Sequence, residues 1–430
     1  MRRAAAAVGA LATLALLAGC TSGTQSRARP PAPPTAFSTH VNSQLADVEL
    51  QAMAQRIVHR RERAVRRHDL RAYLADLDPS NSALLARERR RFANLVQLPL
   101  KTYQLDAVAT SWPSGFAARR FQATAYIPYV EEALQLRGFD AAPVVVTTGV
   151  TFARVDGRWR IVSDDDVADR EPGGSRNQPW DLTRIVVRRS PHALGVFDAA
   201  SAASADRLMA WTEESVGTVR RAVPERWPGR VVFYALSSPR LLRGMGTRFL
   251  DRAAIAFPVY DVARRPTRRV ATRVVINPRY LPRTERQGTY LLSHELTHVA
   301  LARTSGGTPA WVQEGLADYV ATRGASPGWW LPSAASVARA RRGADAMPGS
   351  TFFGDDDPAF DYDLSLAACA VLADRFGTDR LWRFLERLSA AGFADGDAEA
   401  HTDEVLGAMF GLDTRQLARS AARLVVTRGS

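Results

Sequence analysis

The chain has 430 residues, 46% of them hydrophobic and 23% charged, which is too apolar for a disordered protein and too long for one ordinary domain. Its formal net charge of +13 would ordinarily prompt a nucleic-acid reading, yet Lys101 is the sole lysine among 57 Lys and Arg side chains. That arginine bias, with the abundance of alanine, reads as genome composition, so nucleic acid is set aside as a partner. The clusters Arg60-Arg61, Arg66-Arg67 and Arg89-Arg90-Arg91 are expected to be solvated helix faces, with a secondary role near anionic lipid headgroups.

The chain opens Met1-Arg2-Arg3, runs apolar over residues 4–18 and reaches Leu17-Ala18-Gly19-Cys20. A basic start, an apolar stretch too short to remain as a spanning helix, and small residues before a cut describe an export signal over residues 1–19. With cysteine directly after Gly19, the segment resembles the bacterial lipoprotein signal. That resemblance implies a diacylglycerol-modified Cys20 as the mature N-terminus and a chain tethered to the outer face of the cell membrane. Residues 20–40, with Pro30-Pro31-Ala32-Pro33-Pro34, then form a semi-extended tether. The only other cysteine, Cys369, lies in an apolar helical run and is expected to be a buried thiol with no disulfide partner.

Residues 41–168 begin with helical periodicity and change to a period of two. Strands are expected over 102–109, 121–130, 144–155 and 158–162, the last two joined by a turn at Asp156-Gly157. Helices followed by an antiparallel sheet ending in that hairpin resemble the cone-shaped nuclear transport factor two-like fold. The resemblance implies an accessory or interaction domain, and no convergent acid/base set is visible in it. His59 and His68 are expected at the surface. A polar linker over 169–183 follows.

From 184 to 430 the pattern is α+β. Strands are expected at 185–187, 231–236, 253–260 and 269–276, with a helix over 202–223. Helices are also expected over 364–376, 378–388, 402–410 and 414–426, punctuated by Gly377, Gly392 and Gly411. Between the two groups lies His294-Glu295-Leu296-Thr297-His298, followed by Trp311-Val312-Gln313-Glu314-Gly315-Leu316-Ala317-Asp318. Histidines four apart on a helix share one face and can hold one metal ion, with Glu295 beside a water on that metal. Ser305-Gly306-Gly307 stops the first helix and Thr308-Pro309 starts a second, whose return would bring Glu314 to the histidine face. Two imidazoles and a carboxylate leave one tetrahedral position open on zinc, and Asp318 can accept the other ring N–H of a histidine, with His294 the first choice.

These residues, in the setting Pro309-Ala310-Trp311-Val312-x-Glu314-Gly315-x-Ala317, resemble the gluzincin (thermolysin-like) zinc metallopeptidases. The resemblance implies a thermolysin-like domain with a helical C-terminal part, one zinc ion on His294, His298 and Glu314, and Glu295 as general base. It also implies a donor to the oxyanion, for which Tyr362 is the candidate and Tyr319 and Tyr280 the competitors. An edge strand would hold the substrate backbone, with Ala253-Ala254-Ile255-Ala256 as the candidate. The expectation is hydrolysis of peptide bonds, with internal cleavage slightly favoured. The alternative is a non-catalytic envelope lipoprotein using residues 41–168 to bind a ligand or partner. Oligomeric state and natural substrate leave no signal.

Overall fold

The computed structural model describes residues 37–109, 125–165, 178–245, 250, 252–261, 268–323, 330–349, 357–390 and 398–430. Cys20, the signal and the greater part of both the tether and the linker lie outside the described residues. The chain divides into two units, Met1–Val48 and Glu49–Ser430. Of the first, only the opening turns of α1 (Phe37–Arg66) are described. Among the described residues no helix is long and apolar enough to cross a membrane.

The second unit mixes helix and sheet. After α1 come α2 (Leu70–Leu74), started by Asp69 accepting from the Ala72 N–H, and α3 (Ser82–Leu95), started by Asn81 accepting from Leu84. Six strands follow: β1 (Leu100–Val108), β2 (Ala125–Tyr126), β3 (Tyr129–Leu136), β4 (Val144–Gly149), β5 (Thr151–Val155) and β6 (Arg158–Ser163). They form two antiparallel sheets, ordered β1-β3-β4 and β2-β5-β6. The β5–β6 turn has φ of 51° at Asp156 and 72° at Gly157, the left-handed pair that a two-residue hairpin needs. The single strand expected over 144–155 is in fact two. Val150, directly after Gly149, passes the chain from one sheet to the other. The strand expected over 121–130 is likewise divided, and β3 runs on to Leu136.

Two of the arginines expected in solvent are buried. Arg61, 5% exposed, pairs with Glu88 and lies 4.0 Å over the Tyr73 ring. Arg91, also 5% exposed, reaches Glu132 at 2.5 Å and Asp181 at 2.9 Å. A carboxylate on a neighbouring element makes each burial tolerable, and those partners lie 27 to 90 residues away in sequence.

Past α4 (Pro179–Leu182) lie β7 (Ile185–Arg189), β8 (Ala193–Asp198), α5 (Ala205–Ala222), β9 (Val231–Ala235), α6 (Arg240–Met245), β10 (Ala254–Asp261) and β11 (Arg268–Ile276). Five strands make one sheet in the order β10-β11-β9-β8-β7, with β8, β9 and β11 parallel and the two outer strands antiparallel. Every residue of β8 and β9 is buried. Ala193, Phe197, Val231, Phe233 and Val274 face a helical core, whereas Leu194, Val196, Val232, Tyr234 and Val275 face the core shared with α1 to β6. A sheet covered on both faces requires apolar residues at consecutive positions.

The helical layer is α7 (Glu285–Leu301), α8 (Ala310–Arg323), α9 (Ala334–Arg341), α10 (Pro358–Phe376), α11 (Thr378–Ala390), α12 (Ala398–Phe410) and α13 (Thr414–Arg428). Helix α5 packs on α7, and Gly288 of α7 makes this possible: a Cβ there would sit 2.1 Å from the Trp211 ring. Asp357 caps α10 ahead of Pro358, and an Asp413/Gln416 capping box opens α13.

Candidate metal centre and active-site cleft

A capping box, Thr284 with Gln287, fixes where α7 begins, and so fixes which face carries its polar residues. His294 and His298 lie one turn apart on that face. The helix ends near Ala302, Gly307 turns the chain with φ of 81°, and α8 returns alongside. His298 meets Glu314 while His294 meets Asp318, the crossed order of antiparallel helices.

The His294 and His298 Nε2 atoms are 3.1 Å apart, and Glu314 Oε2 lies 3.2 Å from the first and 3.5 Å from the second. Tetrahedral zinc with bonds of about 2.0–2.2 Å sets its ligand atoms roughly 3.3–3.6 Å apart, so these three fit one ion. Two imidazole nitrogens and a carboxylate are also the donor types zinc takes in catalytic sites. Burial pushes the Glu314 carboxyl up, but the two imidazoles outweigh it and hold it well below the usual carboxylate range.

Asp318, 4% exposed, accepts from His294 Nδ1 at 2.6 Å and from the Tyr290 hydroxyl at 2.5 Å, both on Oδ1. An Nδ1–H held there directs the Nε2 lone pair of His294 toward His298 and Glu314. Glu295 is 5% exposed; it accepts the Ala256 N–H, while its Oε2 has no hydrogen-bond partner among the described residues. Burial raises its pKa against the opposing pull of the two histidines. A buried carboxylate oxygen beside three converging ligand atoms is placed to take a proton from a water in the fourth position.

These groups line a cleft of ≈ 1100 Å³ together with residues of β10, among them Ala254, Ala256, Pro258 and Tyr260. Among the described residues β10 is the outermost strand of its sheet, with one ladder edge that has no strand partner, and Pro258 fits such an edge because it has no N–H to donate. Of the three tyrosines considered, Tyr362 lines the cleft, its ring 6.4 Å from that of His294. The Tyr319 hydroxyl lies instead by Thr378 and Arg323, and Tyr280 is 47% exposed outside the cleft. Tyr362 accepts from Arg252 Nη1 at 3.3 Å, and burial pushes its phenol far above the usual range, keeping it a donor.

Two cleft residues were missed from sequence. Tyr290 could have been found, one turn before His294 on the same helical face. Arg252 could not, because only the clamp of Asn277 Nδ2 on the Leu250 and Arg252 carbonyls, at 2.8 and 2.7 Å, brings it to the cleft.

No family model and no curated protein matches this sequence. Among solved structures, the chain is similar to a variant of an M1 zinc metallopeptidase from Deinococcus radiodurans, at 14% identity and a TM-score of 0.29, covering 55% of this chain and 51% of that one. It is similar also to a two-domain M1 zinc metallopeptidase variant bound to L-arginine (14% identity, TM-score 0.29, 56% and 51% covered). The same type of protein bound to L-tryptophan gives 15% identity, a TM-score of 0.26 and the same coverage. The chain therefore spans about half the length of the structures it matches.

Proposed function

We propose that this chain is a zinc-dependent peptidase, held by an acylated Cys20 on the outer face of the cell membrane, with residues 41–168 a nuclear transport factor two-like accessory domain. The observation that carries the catalytic part is the set of three ligand atoms at zinc spacing beside the buried, half-unpaired carboxylate of Glu295. One zinc ion, bound by His294, His298 and Glu314, would supply Lewis acidity and lower the pKa of water to about 7.

The chain's own residues do the rest. Glu295 takes the proton from the attacking water and passes it to the leaving amine. Tyr362, which lines the cleft and accepts from Arg252, donates its O–H to the carbonyl oxygen as negative charge develops there. Asp318 fixes the His294 tautomer. The outer edge of β10 pairs with an extended peptide backbone, and Pro258, which has no N–H, interrupts that pairing. Beyond the ligands the cleft is also lined by Arg252, Trp330, Tyr260 and Ser305, which gives room for a peptide substrate.

Metal analysis of the purified chain, with cleavage profiling on a mixed peptide library, tests the proposal. The expected result is one zinc per chain and chelator-sensitive cleavage. In Glu295→Gln, zinc should be retained and turnover should fall by roughly 10²–10⁴-fold. Full turnover in that variant, or a chain that binds no zinc, would overturn it.

A further inference from the structure

We infer that the groove beside β1 is a second binding site, for an anion carrying a phosphate group, separate from the cleft that holds the metal ligands. A cavity of ≈ 470 Å³ lies there, lined by Arg66, His68, Lys101, Thr102, Gln104 and Arg137 above a floor of Val and Leu side chains, with no Asp or Glu in its lining. Lys101 is the sole lysine of the chain, so its charge at this place is not part of the general arginine background.

Local structure aims that lysine. Leu100 pairs with Leu136 and Thr102 with Gln135, which makes Lys101 the extra residue of a bulge, a device that redirects a side chain. Strand β1 is the edge of its sheet, and α1 covers most of that edge. Gln51 and Gln55 bond Ala107, Glu62 accepts from Leu105, and Arg66 donates to the Tyr103 carbonyl at 2.9 Å. The covering stops at Tyr103 because α1 ends at Arg66. The chain then turns through His68 in the left-handed region, with φ of 55°. The groove opens there.

Both guanidiniums are braced, and of the two Arg66 alone has a carboxylate partner among the described residues. Arg137 donates to the Leu100 carbonyl at 3.2 Å, and Arg66 meets Glu62 at 3.0 Å, so one carboxylate stands against Arg66, Arg137 and Lys101 together. Three cations around an apolar floor, with the Gln104 amide alongside, match a group that offers several charged acceptor oxygens on one centre. A soluble phosphate and the headgroup of an anionic lipid share that chemistry.

The sole lysine makes a direct test possible. Reductive ¹³C-methylation of the purified chain keeps the charge and gives a single lysine resonance, from Lys101. Titration with inorganic phosphate should move that resonance saturably. Arg137→Gln should weaken the response by roughly tenfold. Arg387→Gln, on an exposed face of α11, should leave it unchanged. Phosphatidylglycerol vesicles that displace phosphate, where phosphatidylcholine vesicles do not, would assign the site to a lipid headgroup; vesicles without effect would assign it to a soluble phosphate. A resonance that does not saturate, or that responds equally in Arg137→Gln, would overturn the inference.

Discussion

At the scale of single residues, two donors converge on one oxygen. Asp318 Oδ1 takes both the His294 Nδ1–H and the Tyr290 hydroxyl, so Tyr290 orients the carboxylate that orients the ligand. Outer-sphere partners of this kind are worth about 10–100-fold in metal affinity. Tyr290→Phe removes one hydroxyl and leaves the ring packed, so zinc affinity should fall by about tenfold, at the lower end of that range. Competition with a chromophoric chelator measures it, and an unchanged affinity would reduce the hydroxyl to packing. The convergence of these side chains was legible in the sequence for a related reason. His294, His298, Glu314 and Asp318 all project from two helices joined by a short turn, so helical periodicity alone carries their geometry. Arg252 reaches the same cleft through the Asn277 clamp, which leaves no local pattern, whereas the strand that carries Ala256 was expected from the sequence.

Among elements, the contact of α8 with α10 decides how firmly Glu314 is held. Gly315, next to that ligand, faces the backbone of α10; a Cβ there would stand 2.4 Å from the Ser365 carbonyl oxygen and 2.9 Å from Cys369 Sγ. Alanine at a helical glycine would otherwise gain about 1 kcal/mol of propensity. A backbone carbonyl cannot swing aside as a side chain can, so overpacking of about 1–3 kcal/mol should win. Gly315→Ala should therefore lower the urea midpoint and loosen zinc binding. Gly349→Ala, with nothing within 4 Å of its Cβ, should do neither, and equal midpoints in the two variants would refute the close-contact account. Elements with clear punctuation were readable: the helices closed by Gly377 and Gly411, and the Asp156-Gly157 hairpin. Strand β8 went unseen because Ala193-Leu194-Gly195-Val196-Phe197 has no alternation. Gly195 is small there because a Cβ would meet Phe197, Met209 and Phe233.

For the molecule as a whole, the central sheet has one face on the helices and the other on α1 to β6, and polar groups join the two sides. Arg273 of β11, 3% exposed, reaches Asp140 at 2.6 Å and donates to the Tyr234 hydroxyl at 3.2 Å. Asp140 in turn accepts the Leu136 N–H at 2.8 Å, tying the end of β3 to the sheet. The Ala141 N–H adds a bond to the Val270 carbonyl at 2.9 Å. Burial of this kind is costly for either charge alone, so Asp140→Leu should destabilise the fold by roughly 3–5 kcal/mol by stranding the guanidinium. Changing Arg273→Met as well should restore most of that loss, because an apolar pair has no stranded charge. A shared core further predicts that residues 49–430 unfold in one cooperative transition, with tryptophan fluorescence and circular dichroism coincident in urea. Two resolved transitions, or a single variant costing under about 1 kcal/mol, would mean that the N-terminal sheets merely rest against the helical part. Coincident curves would mean instead that they form the second wall of its core, beneath the strand that faces the cleft.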